Sequence, residues 1–363
     1  MSGFLVGVTA DRRAAEQIAM LERRGATVLH GPAIRTHPVA VDGDLAAALD
    51  AVIARPPEVT VLSTGIGVRG GIEAAEVLGR AEALVDALAG SRVYARGPKA
   101  HGAAVTAGIP VHWRSPSGVS GEILAELGRS GIEGVRVAVQ LDGARHQPLA
   151  ERLRDLGADV VAIPVYRWSL PDDTGPALRL VRAVAERRVD AVTFTARPQV
   201  ESLCEIAETE GLLDGLRSGF RRGVVAACVG PVCAGAAVDA GLGTPVVPVR
   251  ARLGSMVVAV AEALAGRAAT FRVDAGELRV QGRLVTVGGE TVQLSERERA
   301  VLAALARRPG AVVSKAELLD AAWPEGEADE HAVEVAVARL RRRLGDGGGA
   351  LETVFRRGYR LAV

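Results

Sequence analysis

Hydrophobic positions in the first two-thirds of the chain alternate between short apolar runs and longer amphipathic stretches. The runs are Gly3–Thr9, Thr60–Ser63, Val93–Ala95, Val135–Gln140, Ala191–Thr195 and Val224–Val229. Between them, apolar residues recur at the spacing of a helix face. This order predicts an α/β region in which helices cover parallel sheets, arranged as two doubly wound domains.

The same region contains an internal repeat. GPKAHGAAVTAGI at 97–109 recurs as GPVCAGAAVDAGL at 230–242, and RRGATVLHGPAIR at 23–35 recurs as DLGADVVAIPVYR at 155–167. VLSTGIGV at 61–68 is echoed by VTFTARPQV at 192–200. All three pairs are offset by about 131–133 residues, which indicates a duplication rather than chance.

The last part of the chain has a different pattern. Ser295 and Ser314 each stand three residues before a glutamate, which is the signature of a capped helix start. A third helix is predicted at about Glu330–Leu344, with an apolar stripe on one side. Its other side carries Val335, Ala338, Arg339 and Arg342, and Arg341 and Arg343 flank it. Two short strands follow, Leu351–Val354 and Tyr359–Val363, and Arg356 and Arg357 lie in the turn between them. This order predicts a winged helix, with one helix in a DNA major groove and a wing beside it.

The segment from about Phe271 to Val363 resembles the effector domain of OmpR/PhoB-type response regulators. The resemblance is carried by LSERERAVLAALARRPGAVVSKAELLDAAW, VEVAVARLRRRLG and ETVFRRGYRL. It implies binding to double-stranded DNA at a promoter operator, with a homodimer expected on the DNA. The DNA-binding residues would be Val335, Arg339, Arg341, Arg342, Arg356 and Arg357. The chain departs from the family at Ala336, Ala338 and Phe355, where polar or basic residues are common.

Composition limits which classes of protein and which kinds of site this chain can represent. With 44 basic and 43 acidic residues the net charge is +1, so any attraction for DNA must come from local clusters of arginine. No apolar run approaches the roughly 18–20 residues that cross a bilayer, and no secretory signal is visible. These features predict a cytoplasmic protein without a membrane partner. The three cysteines lack metal-ligand spacing, so neither a metal site nor a cofactor is expected.

Residues 3–265 resemble the uroporphyrinogen-III synthases. The features that match are Val8-Thr9-Ala10-Asp11-Arg12, the strand–Thr–helix turns at Thr64 and Thr195, the Gly-Pro turns at Gly97 and Gly230, and Val165-Tyr166-Arg167. The resemblance implies that the chain crosses between two domains. The first would be 1–37 with 168–266 and the second 38–167, followed by a linker at 267–270 and the winged helix at 271–363. Two-stranded cross-connections near Ile34–Val39 and Tyr166–Leu170 would form a hinge above a cleft.

Such a cleft suits anions, because a strand that turns into a helix aims free backbone amides and the positive helix end at one point. A tetrapyrrole, with its several carboxylates, or another anionic small molecule would fit. The candidate ligand-binding residues are Arg12, Arg13, Thr64, Gly65, Arg69, Arg96, Gly97, Lys99, Thr195, Arg197 and Gly230. The alternative is that these glycines and prolines only form the tight turns that any doubly wound fold requires.

Tyr166 matches the tyrosine that is thought to assist departure of the hydroxyl group in the synthases, and it is the candidate catalytic residue. It is equally acceptable as a packing residue. The Thr-Ser pair usual after the strand reads Thr64-Gly65 and Thr195-Ala196, and hydroxyl residues after Gly-Pro-x are replaced by Ala100 and Cys233. These departures predict a tetrapyrrole-shaped site with weak or lost turnover.

Three interpretations follow. The preferred one is a one-component transcription regulator with a synthase-like sensor, because a pathway enzyme has no need of an arginine-faced groove helix. The clustered acids of a phosphorelay receiver are absent, so its input is expected to be a bound small molecule. The second is an active uroporphyrinogen-III synthase, which cyclises hydroxymethylbilane with inversion of ring D, with an accessory DNA-binding domain. The third is a structural module that binds a partner. Similar fusions in actinobacteria imply a role in nitrate or nitrite assimilation, because nitrite reductase needs sirohaem, which is made from uroporphyrinogen III.

Overall fold

The computed structural model describes residues 1–38, 43–141, 143, 148–323, 326 and 328–363. Contacts within the chain divide it into two compact units. One consists of residues 1–33 and 173–363, and the other of residues 34–172. The winged-helix segment therefore belongs to the same compact unit as the first synthase-like domain.

The first half of the chain contains nine strands and seven helices among its described residues. Residues 1–33 form β1 (Leu5–Val8), α1 (Ala14–Glu22) and β2 (Thr27–His30). Residues 34–172 form β3 (Arg35–Pro38), α2 (Asp44–Ala54), β4 (Val59–Leu62), α3 (Gly65–Val77), α4 (Ala81–Ala89), β5 (Arg92–Ala95), α5 (Pro98–Thr106), β6 (Trp113–Arg114), α6 (Ser120–Ser130), β7 (Arg136–Gln140), α7 (Pro148–Asp155), β8 (Asp159–Ile163) and β9 (Tyr166–Ser169).

The second half returns to the first sheet and then forms the winged helix. Residues 173–266 contain α8 (Gly175–Ala185), β10 (Ala191–Phe194), α9 (Arg197–Thr209), α10 (Leu213–Arg221), β11 (Val225–Cys228), α11 (Pro231–Asp239) and α12 (Leu253–Ala265). Residues 267–363 contain β12 (Ala269–Val273), β13 (Gly276–Gln281), β14 (Leu284–Val287), β15 (Glu290–Gln293), α13 (Glu296–Ala306), α14 (Lys315–Ala322), α15 (Glu330–Arg343), a 3₁₀ helix (Gly345–Ala350), β16 (Leu351–Val354) and β17 (Gly358–Leu361).

The first synthase-like domain is a parallel sheet in the order β11-β10-β1-β2. Its central strand β1 comes from the start of the chain, and β10 and β11 come from beyond residue 190. Val6 and Val8 of β1 pack with Val257 and Val260 of α12 on one face. On the other face a Cβ at Gly7 would lie 2.5 Å from Leu180 of α8, so helices cover both faces.

The inserted unit has a second parallel sheet, in the order β6-β5-β4-β7-β8. One face packs against α2 to α5 and the other against α6 and α7, through two separate hydrophobic clusters. β3 and β9 lie on the two segments that lead into and out of this unit, and they pair antiparallel with Arg35 opposite Ser169. The predicted α/β class, with two doubly wound parallel sheets joined through a two-stranded connection, is confirmed.

The C-terminal region is the predicted winged helix. An antiparallel sheet β12-β13-β14-β15 precedes three helices and the hairpin β16–β17, and one hydrophobic cluster joins all of them. Both predicted capping boxes are present, Ser295 with Glu298 and Ser314 with Glu317. β12 begins at Ala269, within the stretch predicted as a linker. In the part of the chain that the structure describes, no helix is long and apolar enough to cross a membrane.

Candidate DNA-binding surface and ligand-binding turns

The helix α15 presents its arginine-bearing side to solvent. The carboxylate of Asp329 starts the helix by accepting hydrogen bonds from two backbone amides of the first turn, at 3.0 and 3.2 Å. The stripe that packs inside the domain consists of Val333, Ala336, Val337 and Leu340. Arg339 and Arg342 are exposed on the other side, and Val335 is half-buried. Within the described residues neither guanidinium has a hydrogen-bond or ion-pair partner, so both are available to bases or phosphates.

The neighbouring arginines hold the helix in place instead. Arg341 is half-buried, donates hydrogen bonds to the carbonyl of Leu351 at 2.8 Å and to Oγ1 of Thr353 at 2.8 Å, and lies 5.9 Å from the ring centroid of Tyr359. Arg343 donates to the carboxylate of Glu298 at 3.2 Å. Arg341 thus joins the helix to the wing. Its predicted contact with DNA stays a prediction, and the geometry favours a positioning role.

The wing carries the other two predicted arginines at its tip. Arg356 and Arg357 are both exposed in the turn between β16 and β17. Arg356 has a φ of +59°, a left-handed conformation that is uncommon outside glycine. The base of the wing is fixed because Tyr359 exchanges backbone hydrogen bonds with Val313 at 2.8 and 3.0 Å. The structure thus brings an exposed arginine pair to the tip of a firmly attached hairpin.

The start of α15 carries negative charge rather than positive charge. Lys315 of α14 forms ion pairs with Glu334 at 2.6 Å and with Glu330 at 3.4 Å. The hydrogen bond from Lys315 lowers the pKa of Glu334, and the same contact raises the pKa of Lys315. Because one lysine faces Glu330 and Glu334 and the carboxylate of Asp329 is close by, the start of the helix keeps a net negative charge, and its exposed arginines lie in the later turns.

In the inserted unit the predicted turn at Thr64 is occupied by the protein's own side chains. Thr64 caps α3 by accepting the amide of Gly67 at 3.1 Å, and its hydroxyl lies 3.2 Å from the hydroxyl of Tyr166. The backbone amide of Thr64 donates to Oε1 of Gln140 at 3.0 Å. Tyr166 is buried. The predicted catalytic hydroxyl and the predicted ligand-binding hydroxyl therefore meet, although they are far apart in sequence.

The turn at Thr195 in the first domain is occupied in the same way. Its backbone amide donates to Oε1 of Gln199 at 2.7 Å, and Nε2 of Gln199 donates to the Thr195 hydroxyl at 2.9 Å. Below it the hydroxyl of Thr9 donates to the carbonyl of Thr193 at 2.8 Å, and the fully buried Gln17 donates to the Thr193 hydroxyl at 2.7 Å. Oε1 of Gln17 is buried without a hydrogen-bond partner among the residues that the structure describes.

The sequence analysis missed two buried glutamines, Gln140 and Gln199, which lie at the candidate ligand-binding turns. Each accepts the backbone amide of the threonine at one of the repeated turns, so each stands where a ligand oxygen was expected. The signal was present, because a glutamine ends the otherwise apolar run Val135–Gln140 and another follows Pro198 in the first turn of α9. An amide group on a buried position needs a hydrogen-bond partner, which local patterns do not reveal.

The Gly-Pro turns are alike in the two copies. Gly97 and Gly230 precede α5 and α11 with φ of −165° and −172°, which is extended backbone that any residue adopts. A Cβ at Gly230 would lie 3.2 Å from the Cβ of Ala251, an approach tight enough to favour glycine. Gly65 has a stronger packing reason, since its Cβ would lie 2.4 Å from the carbonyl oxygen of Lys99.

The predicted cationic residues differ in their surroundings. Arg13 pairs with Glu16 at 2.6 Å, and Arg197 pairs with Glu201 at 2.6 Å. Arg12 and Arg69 are exposed, with no ion pair among the described residues. Lys99 is also exposed, and Arg96 is half-buried beside a cavity of about 30 Å³ that Ser63 and Gln140 also line. Of the predicted cationic residues, Arg12 and Arg69 are therefore the ones that could pair with an anionic ligand without first breaking an ion pair within the described residues. The cavity beside Arg96 is polar and large enough for one water molecule.

A buried ion pair docks the winged helix on the first domain. Arg299 of α13 reaches the carboxylate of Asp190 at 3.2 Å and also donates to the carbonyl of Arg187. The side chains of Asp190 and Arg299 are only 11% and 16% exposed. The amide of Leu5 donates to the same carboxylate at 2.8 Å. Burial raises the pKa of Asp190, and the charge of Arg299 offsets part of that rise.

Two glycines complete this contact through the backbone. The amide of Arg283 donates to the carbonyl of Gly3 at 2.8 Å, and Gln281 donates to the carbonyl of Ser2 at 2.9 Å. Both Gly3 and Gly282 have positive φ, and a Cβ at Gly282 would lie 2.3 Å from the Gly3 carbonyl oxygen. The docking therefore depends on close approach of two backbones and not on a flexible tether.

The docking contact and the turn at Thr195 lie at opposite ends of one strand. Asp190 immediately precedes β10, and Thr195 immediately follows it. At about 3.3 Å per residue the two positions are roughly 16 Å apart. On the winged-helix side, the hydrogen bonds and ion pairs to the first synthase-like domain come from α13, the end of α14 and the sheet β12–β15. In the described ranges none comes from the exposed side of α15. Docking and access of the arginines to DNA are therefore compatible.

Comparison with known proteins divides the chain in the same way. The family described as uroporphyrinogen-III synthase HemD matches residues 15–258, and the family described as transcriptional regulatory protein, C terminal, matches residues 289–361. YjjA of Bacillus subtilis, named an uncharacterized protein, is 30% identical over 202 residues, which cover 56% of this chain and 74% of YjjA.

A crystal structure of a mutant uroporphyrinogen III synthase from Thermus thermophilus has a TM-score of 0.60 and 32% identity, covering 72% of this chain and 99% of that one. The transcriptional regulatory protein PrrA of Mycobacterium tuberculosis is 39% identical over 97 residues, which cover 26% of this chain and 42% of PrrA. The chain thus spans less than half of PrrA. It belongs to the uroporphyrinogen-III synthase HemD family and carries an OmpR-type DNA-binding domain at its C-terminus.

Proposed function

We propose that this protein is a one-component transcription regulator, in which the HemD-family region binds an anionic small molecule of the tetrapyrrole class and the winged helix binds double-stranded promoter DNA. One observation carries the proposal. A buried ion pair, Asp190 with Arg299, docks the DNA-binding domain on the first synthase-like domain, while Arg339 and Arg342 stay exposed on α15. A pathway enzyme has no use for a base-reading helix attached so firmly.

The proposed route of control runs along β10. A ligand that binds at the turn after this strand would have to displace Gln199 from the amide of Thr195. Because the strand leads directly to Asp190, a shift of the turn can alter the docking contact at the other end. Ligand and DNA would then influence each other's affinity to the same extent, as linkage requires.

DNA binding is tested by fluorescence anisotropy with a promoter fragment taken from upstream of the protein's own gene. The wild-type protein is expected to bind with an affinity that falls steeply with salt, because phosphate contacts release counterions. Arg339→Ala should weaken binding by about 1–3 kcal/mol if the guanidinium makes a bidentate contact with a base. Arg182→Ala is the matched control, since Arg182 is also an exposed helical arginine but lies on α8. Binding that is insensitive to salt, or equally weak in both variants, would contradict the proposal.

Ligand control is tested in the same assay by adding uroporphyrinogen III or freshly prepared hydroxymethylbilane. The expected result is a change in DNA affinity when the compound is added. Gln199→Ala breaks the same contact with the Thr195 amide without any ligand, so it should shift the unliganded DNA affinity in the same direction and reduce the further response to the compound. A DNA affinity that does not respond to either compound would remove the tetrapyrrole from the proposal and leave a DNA-binding protein.

A second candidate function is synthase activity, and the contact between the hydroxyls of Tyr166 and Thr64 at 3.2 Å favours it. A positioned phenol could donate a proton to a departing hydroxyl group. A coupled assay with hydroxymethylbilane decides between the functions. Conversion to uroporphyrinogen III that is lost in Tyr166→Phe would support the enzyme, and no conversion by the wild-type protein would reject it.

The role in nitrate or nitrite assimilation and the homodimer on DNA are also proposals, and each can be tested. A role in nitrate or nitrite assimilation predicts that a deletion strain grows normally on ammonium and loses nitrite reductase transcripts on nitrate. A homodimer on DNA predicts two protein copies on an operator fragment in mass photometry. A single copy at saturating protein would contradict the homodimer.

A further inference from the structure

An exposed aromatic side chain stands at the tip of the wing. Phe355 is 80% exposed. The chain has 11 aromatic residues, all within its described part, and the other ten are buried or half-buried. A singly exposed apolar residue needs no explanation by itself, so the significance of this ring depends on how the wing holds it and on the charges beside it.

The wing holds this ring in a defined place. Arg357 closes the turn by donating its amide to the carbonyl of Val354 at 2.9 Å, so Phe355 and Arg356 form the tip. A Cβ at Gly358 would lie 2.1 Å from the carbonyl oxygen of Val313, and this close approach packs the base of the wing against the domain. Phe355 therefore projects from a rigid hairpin.

The charges around the ring indicate what it contacts. The guanidinium carbon of Arg356 lies 5.1 Å from the ring centroid of Phe355, and Arg357 is exposed beside them. The acidic residue of the hairpin, Glu352, is paired with Arg360. An apolar ring with two exposed arginines next to it in the chain suits the DNA minor groove, where arginines follow the negative potential and apolar side chains can enter between base pairs.

We propose that Phe355 enters the minor groove next to the site of α15 and acts as an apolar wedge. This inference rests on the proposed DNA-binding function. Opening a base-pair step is easiest at pyrimidine–purine steps such as TA. The wing then contributes sequence preference at a position where it makes no hydrogen bond to a base, and Arg356 and Arg357 supply the attraction that holds the ring there.

The test uses the full chain and an operator fragment that is first mapped by footprinting. The step under the wing is TA in one fragment and GC in another. The wild-type protein should prefer the TA fragment by about tenfold, the discrimination typical of one base pair. Phe355→Ala should bind both fragments within about twofold of each other, and Phe355→Leu should recover part of the preference. Because the ring is exposed, the thermal midpoint should not change in either variant.

A second measurement reports the wedge directly. With 2-aminopurine at the step under the wing, wild-type protein should raise the fluorescence by unstacking the base, and Phe355→Ala should not. A preference for TA and a fluorescence rise that both persist in Phe355→Ala would overturn the inference. The inference would also be overturned if Phe355→Ala lost the TA preference and the fluorescence rise only on fragments with two half-sites. The ring would then contact a second copy of the protein and not the DNA. A wild-type protein that binds no fragment would instead refute the proposed function.

Discussion

The ion pair between Asp190 and Arg299 is the most direct target for testing whether the two domains act as one body. Asp190→Asn keeps an oxygen that can accept the amide of Leu5 but removes the charge. Arg299→Gln removes the other charge together with the hydrogen bond to Arg187. The double variant completes a thermodynamic cycle in which the interaction between the two side chains is separated from their other contacts.

The size of the effect follows from the burial of the pair. Removing one partner of a fully buried pair costs about 3–5 kcal/mol, because the other charge is left without compensation. The residual exposure of 11% and 16% places Arg299→Gln near the lower end, at about 3 kcal/mol. Asp190→Asn leaves the charge of Arg299 without compensation but keeps an oxygen for the Leu5 amide, so it should also cost about 3 kcal/mol. The coupling energy between the two sites should be about 1–3 kcal/mol.

Urea unfolding followed by circular dichroism gives the free energies, and hydrogen exchange of the Leu5 amide reports the contact itself. Arg197→Gln is the control, because its pair with Glu201 is more than half exposed on both sides and should contribute about 0–1 kcal/mol. Additive effects of Asp190→Asn and Arg299→Gln, with a coupling energy below about 0.5 kcal/mol, would refute the argument that this pair docks the domains.

Three further predictions concern single contacts. The hydrogen bond from the amide of Ser314, together with Arg308, lowers the pKa of Glu317 to about 2. The ionised Glu317 should therefore stabilise the folded protein fully above pH 4.5, its ordinary pKa, and this stabilisation should be lost as the pH falls towards 2. Thermal midpoints measured across this range should fall less in Glu317→Gln than in the wild type. Gly65→Ala should destabilise the inserted unit by about 1–3 kcal/mol in urea unfolding, because the new Cβ meets a backbone carbonyl at 2.4 Å. An unchanged midpoint would show that the backbone relaxes at no cost. Arg341→Ala should lower the thermal midpoint and weaken binding to all DNA sequences alike, whereas a loss confined to one base pair with unchanged stability would identify Arg341 as a base-reading residue.

Much of the architecture was predictable because it depends on patterns of residues that are close together in the sequence. The alternation of apolar runs with amphipathic stretches reflects strands buried on both faces, and it predicted two doubly wound sheets. The serine–glutamate pairs predicted the starts of α13 and α14, since a capping box involves only residues of one helix turn. The internal repeat predicted that the strand-to-helix turns at Thr64 and Thr195 would be equivalent, and the structure has the same hydrogen bond to a glutamine at both.

The candidate sites were predictable only in outline. The arginines of α15 look alike in sequence, yet Arg341 turns back to β16 while Arg339 faces solvent. A helical period tells which side of a helix is buried, but a long side chain at the edge of that side can turn either way. The turns at Thr64 and Thr195 were expected to offer free backbone amides to a ligand. In both turns the amide of the threonine instead donates a hydrogen bond to a buried glutamine.

Local patterns in the chain were therefore enough to predict the elements, their order, the duplication and the presence of a DNA-binding domain. The docking of this domain on the first sheet through Asp190 and Arg299, which are 109 residues apart in the chain, became visible only in the folded protein. The physical reason is that a buried charge must find a partner wherever the fold supplies one. Hydrophobic periodicity records which positions leave water, whereas the pairing of distant polar groups depends on which segments the folded chain brings together.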